Sequence, residues 1–286
     1  ITFAKTAGLG TKLFPVTQDY IIWYAKNIDT VKYRQLYSQK VDEANEDFGM
    51  YKKIDDGGRY RIDNLTSQNN NVLSCLYEYE LEGKKHRPGP NNQWKTTIEG
   101  MDRLRDAKRL IASGNGLYYK RYLADFPVRP MTDSWTDTGS GGFSDEKVYV
   151  VQTNVKVIQR CLLMTTDPGD IVVDPTCGSG TTAYVAELWG RRWLTTDTSR
   201  VAMALARTRL MSAKFPFFRL NDGRNVRSGF DCKTVPHITL KSLATNERAD
   251  MEVLCDQPYE DKDRVRVSGP FTVESLSPHR VSDEQE

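Results

Sequence analysis

Between Ile171 and Asp197 the chain reads strand, glycine loop, helix, strand, and no other feature constrains its fold as much. Ile171-Val172-Val173-Asp174 is a short, β-prone run expected to be buried, entered from the turn Asp167-Pro168-Gly169-Asp170. A glycine-rich loop follows, then a helix predicted over about Thr181 to Trp189 and closed by Gly190. Arg192 to Asp197 gives the second strand. Ser199 then caps a helix predicted to turn Val201, Ala204, Leu205 and Met211 inward. Just upstream, Val155, Ile158, Cys161 and Leu162 mark a further amphipathic helix. This order is half of a doubly wound α/β sheet.

The loop itself is Asp174-Pro175-Thr176-Cys177-Gly178-Ser179-Gly180-Thr181-Thr182. Glycines between a strand and a helix let the backbone approach a ligand closely, and the helix N-terminus favours negative charge there. Asp197, at the tip of the next strand, is placed to accept hydrogen bonds from ribose hydroxyls. These features do not name the ligand. Gly178 to Ala183 also fits the dinucleotide pattern with an acid about twenty residues on, and a tight turn with no ligand is the third reading. A Walker phosphate loop is excluded, because no Lys follows the glycines.

The remainder is less regular. Tyr20-Ile21-Ile22-Trp23-Tyr24-Ala25 reads as a strand buried on both faces of a parallel sheet. Residues from about Val41 to Phe143 are polar and rich in loop signals such as Gly57-Gly58, Pro88-Gly89-Pro90 and Gly139-Ser140-Gly141-Gly142. One helix is predicted there, with Met101, Leu104, Lys108 and Ile111 on one face, stopped by Gly114. The formal charge of +2 conceals segregation: Lys84 to Arg129 holds eleven Lys and Arg against four Asp and Glu, a balance of +7. A phosphate backbone selects such a segment, although a solvated basic face has the same composition. No apolar run approaches the roughly 20 residues that span a bilayer. No secretory leader is predicted at the N-terminus. Five cysteines form no CxxC pair and three histidines no evident metal cluster, so reduced thiols, no metal and a cytoplasmic chain are expected.

The run Asp174 to Thr182 resembles the cofactor motif of the amino-methylating DNA methyltransferases, Asp-Pro-Phe-x-Gly-Ser-Gly-Thr-Thr, with Thr176 in place of Phe. Gln152-Thr153-Asn154-Val155-Lys156 is similar to the motif just upstream in permuted members, but lacks its Pro, since Val157 follows Lys156. Arg191 to Asp197 resembles the next motif. Asp19 to Lys26 looks like the last catalytic-side strand of the β-type enzymes. Trp94, Gly100 to Leu104, Trp135-Thr136-Asp137, Val235 to Lys241 and Gly269 to Glu274 resemble the modification subunits of type III restriction systems. The dinucleotide reading becomes remote, because nicotinamide enzymes do not normally place Asp-Pro-x-Cys before the glycines.

The resemblance implies part of a Rossmann-like methyltransferase sheet with an inserted target-recognition region. Residues 1–38 would end the catalytic half, 39–146 form the insertion, 147–222 the S-adenosylmethionine half and 223–286 a C-terminal extension. It implies Lys156, Asp174, Pro175, Thr176, Cys177, Gly178, Ser179, Gly180, Thr181 and Asp197 as the S-adenosylmethionine site. Cys177 is expected to be packed rather than reactive. Lys84, Lys85, Arg87 and Lys95 would neutralise phosphates, while Asn92 and Trp94 would contact bases. The implied reaction is methyl transfer to an exocyclic amine of double-stranded DNA, adenine rather than cytosine because the type III relatives modify adenine. A restriction subunit and a second copy of the chain are the implied protein partners.

Methylating an amine needs positioning and electrostatics rather than a covalent enzyme intermediate. The family assigns this work to an (Asp/Asn/Ser)-Pro-Pro-aromatic tetrapeptide that stacks on a flipped base, and the sequence holds no Pro-Pro pair. Asp256-Gln257-Pro258-Tyr259 is the nearest substitute and is expected to be a surface turn. No residue is therefore assigned to catalysis. The chain, which opens on Ile1, is expected to be a fragment lacking its catalytic strand. A non-catalytic DNA-specificity module with a retained cofactor fold is the alternative.

Overall fold

A computed structural model describes residues 1–5, 13–40, 48–68, 71–139 and 152–275. Ser140 to Gly142 of the expected glycine-rich loop, and the expected boundary near residue 146, lie outside them. The chain is α/β and divides into two units. One takes residues 1–137, 163–165 and 230–259; the other takes 138–162, 166–229 and 260 onward.

The first unit is built on an antiparallel sheet in the order Leu110–Ser113, Gly116–Tyr122, Gly58–Asn64, Lys53–Asp55. Gly58 and Gly114 turn its hairpins with φ of +104° and +60°, conformations that cost glycine little. Helix Ile98–Asp106 seats Met101 and Leu104 against Leu65, Trp94, Leu117 and Tyr119. The predicted helix therefore ends earlier than expected. Lys108 takes φ of +54°, and Leu110 and Ile111 belong to a strand that pairs with Tyr119 and Tyr118. The arm Arg59-Tyr60-Arg61-Ile62-Asp63 has the alternation of a half-buried strand, although its block reads as loop by composition.

Two other expectations are corrected here. The Tyr20 to Ala25 run is not a buried parallel strand: only Gln18–Tyr20 is extended, antiparallel to Thr2–Ala4. Tyr20, Ile22 and Tyr24 are each at least 75% exposed. Nor do residues 223–286 form one extension. Cys232–His237 pairs with Asp250–Pro258 in the first unit, whereas Glu260–Val267 pairs with Lys214–Phe218 in the second. The first hairpin is fastened by His237, stacked 4.1 Å from Phe126 and bonded to Glu252. Helix Leu240–Thr245 lies so close to Ile98–Asp106 that a Cβ on Gly100 would come within 3.0 Å of the Ala244 Cβ.

In the second unit Ile171–Asp174 and Arg192–Thr195 are parallel neighbours in the register Ile171↔Arg192 to Asp174↔Thr195. The intervening helix Thr181–Leu188 buries Ala183, Val185 and Ala186. Ile171, Val173 and Leu194 are exposed, so the strand expected to be buried is covered on one face only among the described residues. Ser199 caps helix Arg200–Ser212, its Oγ accepting from the Ala202 N–H. The inner face is Ala202, Ala206 and Leu210; the predicted Val201 and Met211 are exposed. A bulky residue would hold the helices apart, and alanine lets them close. Arg266 ties the last strand to helix Thr181–Leu188 through the Glu187 carboxylate at 2.8 Å.

Candidate cofactor site

The glycine loop is stitched at both ends before any ligand is considered. The Asp174 carboxylate accepts from the Thr176 N–H at 2.9 Å and its hydroxyl at 3.2 Å, turning the chain out of the first strand. The Thr196 N–H donates to the Asp174 carbonyl at 3.0 Å, and the Cys177 N–H to the Thr196 carbonyl at 2.8 Å. These bonds join the loop to the tip of the second strand. The Gly180 N–H returns to the Cys177 carbonyl at 2.8 Å, with Gly178 and Gly180 at φ of +53° and +75°.

Asp197 organises the opening. One carboxylate oxygen accepts from the Gly178 N–H and the other from the Ser199 N–H, each at 2.8 Å. These backbone donors hold the carboxyl below the usual carboxylate range. Each oxygen keeps acceptor capacity, and an acceptor-only group suits the vicinal hydroxyls of a ribose.

Beneath this rim the loop is packed. Cys177 is buried and its thiol is pushed up by burial, which makes it a packing residue rather than a nucleophile. Ser179 and Thr181 are buried too, their hydroxyls 2.9 Å apart. Arg209 clamps both: its Nη1 donates to the Ser179 carbonyl at 3.2 Å and the Thr181 hydroxyl at 3.1 Å, and its guanidinium lies 4.8 Å from the Tyr184 ring centroid. Gly180 has a steric as well as a conformational reason to be glycine, since a Cβ there would sit 2.8 Å from the Ala206 Cβ.

The expected cofactor residues thus divide. Asp174, Pro175, Thr176, Gly178 and Asp197 reach the surface, while the side chains of Cys177, Ser179 and Thr181 turn inward and leave the loop backbone as their contribution. Lys156 is exposed on the first turn of helix Val155–Thr165, which Asn154 caps by accepting the Lys156 N–H at 2.8 Å. Sequence reasoning missed Arg209; its spacing from Ala202 and Ala206 was the available signal, hidden by the choice of the bulkier face.

The expected DNA contacts all lie in the first unit. Trp94 is corrected: it is 1% exposed and donates its indole N–H to the Tyr77 carbonyl at 2.9 Å, so the ring is core. Lys85 and Arg87 both pair with Glu78 at 2.8 Å. Lys84 reaches the Gly114 carbonyl and Lys95 the Asn64 carbonyl, each at 2.8 Å, so both meet neutral acceptors. Asn92 is half-buried beside the turn at Gly89, whose carbonyl accepts its N–H at 3.3 Å. The Asp256 to Tyr259 segment is the end of a strand rather than a surface turn, because Pro258 is in register with Cys232 and the Tyr259 N–H donates to the Asp231 carbonyl.

A parallel strand pair, a glycine loop between them and an acid at the second tip define an α/β nucleotide-type site. Residues 1–208 match the model of the DNA methylase family (N6_N4_Mtase), and the chain belongs to that family. It is 25% identical over 237 residues to the type II methyltransferase M.EcaI of Enterobacter cloacae, an alignment covering 82% of this chain and 50% of the relative. It is 36% identical over 153 residues to M2.DpnII of Streptococcus pneumoniae, covering 49% of this chain and 56% of that one. The chain spans about half the length of these curated relatives. Among solved structures, the M1.HpyAVI–SAM complex matches 33% of this chain and 47% of its own, with 21% identity and a TM-score of 0.24.

Proposed function

We propose that this chain is the cofactor-binding and DNA-recognising part of a methyltransferase that moves a methyl group from S-adenosylmethionine to the exocyclic amine of adenine in double-stranded DNA, in the cytoplasm. One observation carries the reading: Asp197 ties the glycine loop to the tip of the second strand and still presents an ionised, accepting carboxylate at the surface. Membership of the DNA methylase family supplies the reaction class. When bound, S-adenosylmethionine supplies an electrophilic sulfonium methyl. The chain's own part is to accept ribose hydrogen bonds at Asp197, to offer the Thr176 to Gly178 backbone as a close wall, and to hold that wall rigid from beneath through Arg209. Lys156 stands at the start of the preceding helix as the residue for the methionine end of the ligand.

No (Asp/Asn/Ser)-Pro-Pro-aromatic sequence occurs in residues 1–286. We infer that this segment binds cofactor and DNA without methyl transfer on its own. Isothermal titration should show S-adenosylhomocysteine binding more tightly than NAD, and NAD preferred would overturn the cofactor assignment. Transfer of labelled methyl to mixed-sequence duplex should stay at background. Robust incorporation that is lost in Asp256→Ala would instead assign the chemistry to the Asp256 to Tyr259 strand.

A further inference from the structure

The first unit holds a cleft of about 690 Å³ that the cofactor loop does not use. Its walls come from separate stretches: the strands bearing Asp63 and Arg121, the turn from Val72 to Cys75, the Lys95 to Arg103 segment, and helix Leu240–Thr245 with Lys241. Arg103 donates to the Ala244 carbonyl at 2.6 Å, which joins the last two of these stretches. Close packing of Gly100 on Ala244 sets the same junction.

The cleft is cationic after its internal pairs are counted. Asp63, the carboxylate among its lining residues, is already engaged by Arg61 at 2.9 Å, outside the lining, and only loosely by Arg121 at 3.6 Å. Lys95 and Arg103 meet backbone carbonyls, which leave their charge uncancelled. The Glu99 carboxyl, one turn before Arg103, is held below its usual range first by the Thr97 hydroxyl and least by the Arg103 charge, and Glu247 stands 4.0 Å from Lys241 on an exposed rim where pairing is weak. Four long cations around a space larger than one phosphate needs, with Thr97 and Thr239 hydroxyls between them, suit a run of phosphates rather than a single anion.

We propose that this cleft carries the phosphodiester backbone of the DNA strand. The inference rests on the DNA reading above; it keeps Lys95 among the expected phosphate contacts and moves the others from the Lys84 to Arg87 hairpin to Arg103, Arg121 and Lys241. It also gives the residue 239–245 helix, remote in sequence from the basic segment, a role in holding DNA.

The test uses the whole chain and Lys95→Ala/Lys241→Ala, two exposed positions whose loss removes no core contact. Duplex affinity is measured by fluorescence anisotropy over a salt series, with thermal unfolding and S-adenosylhomocysteine affinity as controls for folding. The double variant should keep both controls and lower the slope of log K against log salt by about 2, at roughly 0.9 per phosphate released. Lys95→Glu/Lys241→Glu should weaken binding further. If the wild type shows a salt-dependent affinity that both variants retain, the cleft proposal falls and the DNA reading stands. If the wild type shows no salt-dependent affinity for duplex, the DNA reading falls and takes the cleft with it. Binding of inorganic pyrophosphate that the variants abolish while duplex affinity is unchanged would assign the cleft to a small anion and overturn the proposal.

Discussion

The glycine loop and the basic segment both stand out in the sequence, and the structure treats them in opposite ways. In the loop the sequence signal and the site coincide, because the conformation is written into consecutive residues. Gly178 and Gly180 adopt positive φ, Asp174 closes its own turn, and Asp197 reaches back across one strand spacing. In the basic segment the signal is a count of charges, and charges are redistributed by folding. Arg109 is consumed by a buried ion pair, Lys85 and Arg87 share one carboxylate, and Lys95 faces only a carbonyl. Local conformational codes survive folding; local charge sums do not.

The largest effect that separates these cases should come from the cation turned inward. Arg109 donates through both terminal nitrogens to Asp125 at 2.7 and 2.9 Å, and the Asp125 carboxylate also accepts the Tyr122 N–H. Asp125 is 3% exposed. Asp125→Ala should cost about 3–5 kcal/mol, since it leaves a guanidinium largely desolvated without its partner. Denaturant unfolding measures it. A loss below about 1 kcal/mol would mean that Arg109 reaches solvent and counts with the free cations after all.

Next comes Gly180→Ala. The substitution forces an L residue to φ of +75° and drives its Cβ to 2.8 Å from that of Ala206. Left-handed strain of roughly 1–2 kcal/mol and overpacking of about 1–3 should add to about 2–5 kcal/mol. Gly180→Ala/Ala206→Gly should recover the overpacking part and not the backbone part. Full recovery would show that the glycine is there only for helix packing; none would put the whole cost in the backbone.

How much was legible follows from the same contrast. The strand, loop, helix and second strand between Ile171 and Thr195 could be read because capping, glycine placement and β-prone runs are local. The inner face of helix Arg200–Ser212 could not, because the choice of Ala202, Ala206 and Leu210 over Val201 and Met211 depends on how near Gly180 allows the neighbouring helix. The sheet around Gly58–Asn64 was hidden by its charged and aromatic alternation, which has the composition of a loop. The joining of residues 230–259 to the first unit is a long-range packing event with no local code. Trp94 has the chemistry of a base contact, and only its burial identifies it as core.

A third effect tests whether Asp197 is as indispensable as its geometry implies. Asp197→Asn keeps the shape but donates where it must accept, so S-adenosylhomocysteine affinity should fall by about tenfold or more. The backbone donors hold the folded carboxyl below its ordinary value of 3.8. Its contribution to loop stability is therefore fully present above that value and lost as pH falls through the folded pKa. Cofactor affinity that already declines between pH 7 and pH 5 would point to a different titrating group.

The smallest effect belongs to the hairpin that the charge count favoured. Glu78 takes Lys85 on one carboxylate oxygen and Arg87 on the other, both at 2.8 Å, with the two cations 66% and 77% exposed. Exposed pairs of this kind contribute about 0–1 kcal/mol, and their charges are half cancelled before DNA approaches. Removing all three with Glu78→Ala/Lys85→Ala/Arg87→Ala changes the net charge by only one unit. It should lower the slope of log K against log salt by no more than about 0.9, the value for one phosphate, and leave the melting temperature nearly unchanged. The Lys95→Ala/Lys241→Ala variant changes the charge by two and should lower the slope by about twice as much. A triple variant that loses more salt dependence than the cleft variant would reverse the ranking, and the hairpin between Tyr79 and His86 would then be the surface on which DNA lies.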